Sequence, residues 1–205
     1  TGAIREGAAI DLTLKGFLAS AEPLLRARAE LTGQLRLEPA LQPYQLENAR
    51  LHGELSGTPL ANRTLAFDAR GELLLDLAAQ VAEWNGLKLT ANQLQALGEL
   101  KLRELDRTPR LEGGLSLAEF DLRAFLDGIG QPLPAMADGN TLRRAALVTR
   151  LGGTLDAPQL DDLRLNLDDS RLEGSLRLAS GSLRAQLKGD RLDLDRYLPP
   201  KADAD

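Results

Sequence analysis

The sequence has no cysteine, one histidine, one tryptophan and only 3% aromatic residues. Without cysteine there is no disulfide, no zinc–thiolate site and no thiol nucleophile, a usage that fits many bacterial periplasmic proteins and a cytosolic one equally. No excess of positive charge is present: 25 Lys and Arg are interleaved with 30 Asp and Glu, for a net −5. With no basic stripe to follow a phosphate backbone, nucleic acid is not an expected partner. No uncharged apolar run approaches the ~20 residues that cross a bilayer, and nothing at the start resembles a signal peptide. Because the first residue is Thr1 rather than Met, the chain reads as a piece of a longer protein, with any membrane anchor outside it. β-Branched apolar residues are scarce too. Ile and Val together number five against 47 leucines, although strands ordinarily favour stiff β-branched and aromatic side chains. Leucine in their place makes a flexible, oily surface suited to hydrocarbon, and GC-rich coding produces the same bias.

What the chain does have is a recurring phrase, apolar-x-Gly-x-Leu-x-Leu. It appears as LTGQLRL from Leu31, LEGGLSL from Leu111 and LEGSLRL from Leu172, with looser copies around Gly53, Gly71, Gly98 and Gly153. Side chains two apart share one face of a strand, so the leucines line one face while Arg, Glu, Gln, Ser and Thr take the other. Expected strands are 8–19 and 25–37, joined through Ser20-Ala21-Glu22-Pro23, then 45–55, 64–78, 87–105 and 110–117. The 64–78 run alone would span about 45 Å at roughly 3.3 Å per residue. One helix is expected over Asp121–Ile129, where Leu122, Phe125, Leu126 and Ile129 recur at helical spacing before Gly130, Pro132 and Pro134 stop it. A second short turn is expected from Asn140 to Ala145. Strands at 146–155, 160–168, 171–178, 183–188 and 191–194 follow at short intervals, as in an antiparallel meander, and 201–205 reads as a frayed tail.

Catalytic material is poor. His52 stands opposite in parity to Leu51 and Leu55, which suits a solvent-facing strand residue better than a general base. Asp161-Asp162, Asp168-Asp169 and Asp190-x-x-Asp193-x-Asp195 are oxygen-rich but lack the Gly-containing loop of a calcium motif, so polar turns are preferred. Ser170 has neither a histidine nearby nor a GxSxG elbow. Asp168–Arg171 and Asp193–Tyr197 read as strand ends, with Arg171 and Arg196 placed to pair with these acids. Neither an enzyme, a cofactor nor a metal is expected.

Three blocks in the last 85 or so residues carry a resemblance: FDLRAFLDGIGQPLP from Phe120, LRRAALVTRLGGTLDAPQLDDLRLNLDDSRLEGSLRL from Leu142, and LKGDRLDLDRYLPP from Leu187. In this order and spacing they resemble the AsmA family of bacterial envelope proteins, above all in Asp168-Asp169-Ser170-Arg171 and Asp193-Leu194-Asp195-Arg196-Tyr197. The first 119 residues match in style only, so the chain divides into 1–119, repeated amphipathic strands, and 120–200, a terminal segment of short helix plus β-meander. The amino-terminal membrane helix that family members normally carry is not in this sequence.

The resemblance implies a mainly β fold: a long, curved antiparallel sheet, groove- or taco-like as in chorein-type bridge proteins, with one or two short helices. It further implies a periplasmic, inner-membrane-attached module that handles phospholipid between inner and outer membrane. Candidate trough residues are Leu12, Leu14, Leu35, Leu37, Leu73, Leu75, Leu100, Leu102, Leu115, Leu117, Leu163, Leu165, Leu167, Leu176, Leu178, Leu192 and Leu194. Phospholipid acyl chains would be the partner, with a further envelope protein as a second. Two alternatives stay open on the residues alone: these leucines form the dry core of a two-layer sandwich, or the fold is a periplasmic scaffold for outer-membrane assembly. Gly33, Gly113 and Gly174 share the leucine parity and mark expected bends or close approaches.

Overall fold

A computed structural model describes residues 9–21, 24–36, 43–133, 135–179, 182–190 and 194–199. Eleven strands follow one another: β1 (Ala9–Ala21), β2 (Leu24–Arg36), β3 (Tyr44–Gly57), β4 (Thr64–Asp76), β5 (Val81–Ala91), β6 (Leu94–Arg103), β7 (Arg110–Phe120), β8 (Ala145–Gly153), β9 (Pro158–Leu167), β10 (Ser170–Ala179) and β11 (Ser182–Gly189). They form a single sheet in sequence order, each strand antiparallel to the one before, and β1 and β11 are its two edges. Neither a second sheet nor a closed barrel is present among the described residues, so the sandwich expected as an alternative is not how the leucine face is covered. Helix α1 (Leu122–Gly128) lies in the connection from β7 to β8. Its start follows from Asp121, whose side chain accepts the Ala124 N–H as an N-cap.

Two expectations need correction. The strand expected over 87–105 is two strands, β5 and β6, turned at Asn92-Gln93, and β5 begins at Val81 rather than Leu87. Asn92 adopts φ 51°, a left-handed conformation that asparagine tolerates. Of the strand expected over 191–194, Leu194 opens a 3-10 turn (Leu194–Arg196) and 191–193 lie outside the described residues. The tight turn near Asn140 is present, without helix.

The register puts the leucines on one face. Row by row, Leu14 faces Leu31 and Leu31 faces Leu51; Leu73 faces Trp84, Trp84 faces Leu100, and Leu117 faces Leu147. Leu147 then faces Leu165, and Leu165 faces Leu172. The opposite face carries Lys15, Glu30, Arg50, Asp68, Lys101, Glu112, Arg150, Arg164 and Glu173 along the same strands.

This sheet is folded across its strands. Single extra residues interrupt the ladder at Asn48 in β3, Gly86 in β5 and Asp162 in β9, each with φ between 48° and 59°. A bulge bends its strand and sharpens the twist. Between the bulges the line is continued by glycines of the repeated phrase. Gly113 (φ 145°) and Gly174 (φ 154°) sit where a Cβ would lie 2.2 Å from the Glu99 carbonyl oxygen and 1.9 Å from that of Gln186. Only glycine permits both that conformation and that approach. The fold line crosses mid-strand from β2 to β10, and the leucine-face residues beside it are buried: Ala49, Ala69, Leu87, Ala96, Thr149 and Leu163. Leucines therefore line the inside of a gutter whose axis runs across the strands.

Candidate functional site

Fourteen of the seventeen trough candidates fall on this inner face: Leu12, Leu14, Leu35, Leu73, Leu75, Leu100, Leu102, Leu115, Leu117, Leu163, Leu165, Leu167, Leu176 and Leu178. Leu37 and Leu192 lie outside the described residues, and Leu194 sits on the 3-10 turn rather than on the sheet. Exposure grades across the gutter. Leu163 on the floor is 1% exposed, whereas Leu14 and Leu18 on β1 reach 53% and 62%, and Leu183 on β11 reaches 67%. Among the described residues the apolar surface thus runs out uncovered at both sheet edges.

Sequence reasoning did not list several residues that complete this face. Leu31, Leu46, Leu51, Leu87, Leu89, Leu147, Leu151, Leu160 and Leu172 share it by register, and so does Trp84. The Trp84 indole lies over Gly71, where a Cβ would come within 2.4 Å of Nε1, and Nε1 has no hydrogen-bond partner. Thr149 is the other polar group on the floor, and its hydroxyl donates to the Asp161 carbonyl at 3.0 Å.

The two lips differ. At one, the β7–β8 connection is strapped to the sheet: the Arg63 guanidinium donates to the Asp127 carbonyl, and Gln131 Nε2 donates to the Pro59 carbonyl at 2.5 Å, so α1 is fixed to the β3–β4 turn. Phe120 and Phe125 meet edge to face with ring centres 5.9 Å apart. The chain after β11 returns to the same lip. Arg196 Nε donates to Asp138 at 3.0 Å, its Nη1 lies 3.6 Å from Asp169, and the Tyr197 hydroxyl donates to Asp168 Oδ2 at 2.9 Å.

Asp168 is the centre of that clasp. Its oxygens also accept the backbone N–H groups of Leu142, Arg143 and Arg144 at 2.8–3.2 Å. Burial opposes its ionisation, but the bonds from Leu142, Tyr197, Arg144 and Arg143 outweigh it and hold the carboxyl below its ordinary value. Burial, followed by the bond to Asp168, pushes the Tyr197 phenol up to about 12. The expectation that these motifs set strand ends is met for Asp168, in the β9–β10 turn; the partner of Arg196 at Asp138, 58 residues away, was not foreseen. Among the described residues the opposite lip carries plain turns, with Leu77 and Leu155 exposed at their tips.

A separate hollow of about 1090 Å³ opens on the charged face over β1–β5, walled by Lys15, Arg28, Arg50, His52, Glu54 and Asp68. Arg50 and Arg70 both donate to Asp68, at 2.5 and 2.8 Å, and Phe17, Ala29, Ala66 and Phe67 complete the lining. His52 faces this side and its Nδ1 has no hydrogen-bond partner. Among the described residues no three His, Asp or Glu side chains are grouped to hold a metal ion, and no helix is long and apolar enough to cross a membrane.

Compared with known families, residues 8–205 match the AsmA family. Neither the curated proteins nor the solved structures contain a significant match.

Proposed function

The chain belongs to the AsmA family, whose members are envelope-associated, and from that premise we propose that it is a non-enzymatic lipid-handling module that carries phospholipid acyl chains on its leucine face. The observation that carries this reading is one apolar face continuous over eleven strands and, among the described residues, covered by no second layer. Ten inter-strand steps at about 4.8 Å give a run of roughly 48 Å before curvature. A bilayer core of about 30 Å holds two tails end to end, so one tail needs about 15 Å. The gutter is long enough for a tail to move along it with its surroundings unchanged. Each CH₂ gains about 0.8 kcal/mol on leaving water wherever it sits, so the energy is nearly flat along the axis and transport needs no chemical step. On this reading the protein works in the periplasm between the two membranes, held to the inner one.

Native mass spectrometry of the purified protein with lipid extraction tests the proposal against a variant carrying Leu165→Asp and Leu176→Asp. Phospholipid that accompanies the wild type and is lost from a variant still folded by circular dichroism supports it. A wild type that neither carries nor takes up lipid sinks it, and the family's scaffold reading then moves ahead.

A further inference from the structure

Charge on the polar face is not evenly mixed. Register sets Arg50 directly opposite Arg70, and Arg70 directly opposite Lys88, so three cations stand side by side across β3, β4 and β5. Two cations oppose each other at Arg103–Arg110 and at Arg177–Arg184, but no other row among the described residues carries three on consecutive strands. Like charges directly opposite destabilise a sheet. Asp68 offsets part of this, its Oδ2 accepting from Arg50 Nε and its Oδ1 from Arg70 Nε. One carboxylate therefore holds two guanidinium groups by their inner nitrogens, and the other four of each group's five N–H donors meet no acceptor among the described residues. Both side chains are open to water, at 50% and 60% exposure. Lys88 is exposed and has no ion pair among the described residues, and Glu72, which follows Arg70 on the same face, bonds none of the three.

The row forms one rim of the hollow of about 1090 Å³, whose lining includes Arg50, Asp68 and Thr90. Phe17, 64% exposed, and Ala66 give the same hollow an apolar part. Its remaining charges balance, Lys15 against Glu30 and Arg28 against Glu54. Arg50, Arg70 and Lys88 less the one carboxylate of Asp68 leave a charge of +2. A phosphate monoester, at about −1.5 to −2 near neutral pH, matches that better than any singly charged anion. Pockets for drug-sized ligands run about 300–1,000 Å³, so an organic body fits beside the phosphate. We propose that this hollow binds a phosphate monoester, its oxygens taken by the free Nη groups of Arg50 and Arg70 and by the Lys88 ammonium, with its organic part lying toward Ala66 and Phe17. Guanidinium forks engage phosphate oxygens in pairs, and the ammonium adds a point charge. Asp68 is the positioning residue, because it aligns the two forks. The site lies on the face opposite the leucines and is independent of the lipid-handling reading. A soluble phosphate ester and the headgroup of a phosphatidate-type lipid share this chemistry.

Amide shift mapping by NMR on the whole 22.1 kDa chain tests the site with glycerol phosphate and, separately, with lysophosphatidic acid below its micellar concentration. Saturable shifts at Arg50, Arg70, Lys88 and Thr90 are expected with both. Tighter binding of the lysolipid, with shifts spreading to Ala66 and Phe17, identifies a lipid headgroup as the source; equal binding identifies a soluble ester. Arg70→Gln and Lys88→Gln, both at exposed positions, are each expected to weaken glycerol phosphate binding by about tenfold or more, as loss of a hydrogen bond between charged groups does. Arg177→Gln removes the same charge from β10 and is expected to change nothing. Absence of saturable shifts in the row, full binding by Lys88→Gln, or equal weakening by Arg177→Gln would each overturn the inference. Glycerol phosphate has no acyl chain, so its binding is decided separately from whether the leucine face carries phospholipid.

Discussion

Replacing Asp168 by Asn isolates the charge of the clasp while keeping its shape. Asp168 has φ 51°, a left-handed conformation that asparagine adopts as readily as aspartate, so backbone strain does not enter. The carboxylate Oδ2 accepts from Leu142 N–H and the Tyr197 hydroxyl, and Oδ1 accepts from the Arg143 and Arg144 N–H groups. An amide oxygen can replace one of these oxygens, but its NH₂ then faces two donors. Leaving a donor unmet costs about 1–3 kcal/mol. Arg143 and Arg144, the donors to Oδ1, are exposed, so with the NH₂ on that side the low end applies and water compensates in part. Adding the weaker bonds to a neutral oxygen gives a loss of about 2–4 kcal/mol, or roughly 5–15 °C in Tm for a chain of this size. The sign with pH follows from the lowered carboxyl. A group whose folded pKa is depressed contributes fully above its unfolded value, near 3.9, and loses that contribution as pH falls through the folded value. The gap between wild type and Asp168→Asn, measured by thermal unfolding, is therefore largest at neutral pH and closes as acid carries the carboxyl down through its lowered folded value. Asp68, Glu83 and Asp121 are lowered too, but they titrate in both proteins and cancel in the difference; Asp138, also lowered, feels the Asp168 charge and ionises more readily in the variant. A gap below about 0.5 kcal/mol at neutral pH, or one that persists unchanged in acid, would refute the reasoning.

Other consequences are simpler to read. In a spectrophotometric titration the Tyr197 phenol ionises as a late step near 12, its stabilisation being lost between its ordinary value of 10.0 and that point, and Tyr197→Phe removes the step; ionisation at the ordinary value would mean that the bond to Asp168 does not form. Gly174→Ala should cost about 1–3 kcal/mol or more, from the forced left-handed backbone and the Gln186 carbonyl 1.9 Å from the new Cβ. Gly16→Ala on β1, with nothing within 4 Å, should be neutral or slightly stabilising in the same denaturation assay, and equal costs would argue against the fold line. Leu163→Ala, at a site 1% exposed, should lose about 2–5 kcal/mol. Leu183→Ala, 67% exposed, should change monomer stability by less than about 0.5 kcal/mol; similar losses would mean that the gutter floor is not packed.

Most strands were legible because two-residue periodicity survives wherever the strand itself carries no extra residue, as in β1, β2, β4 and β10. It failed where the bulges sit. In β5 the inner face passes from Trp84 to Leu87, and in β9 from Leu160 to Leu163, so even positions give way to odd across one extra residue. Read as simple alternation, the first half of β5 disappears. The split of the expected 87–105 strand had a visible signal: Leu87, Leu89 and Ala91 are odd, Leu94, Ala96 and Leu100 even, with Asn92-Gln93 between. The glycines of the repeated phrase pointed to bends, but that they align into one line required the register. The clasp was half legible. Acids and arginines near the β9–β10 turn and chain end announced ion pairs, whereas the choice of Asp138 depends on a return of the chain that no local pattern encodes.

The most direct test of the central claim places the photoreactive residue p-benzoylphenylalanine at successive positions of one strand pair, with phospholipid present. The account predicts lipid adducts at Leu160, Leu165 and Leu176, on the inner face, and none at Arg164 and Arg177, which are exposed on the other. Adducts on both faces alike, or on neither, would contradict it.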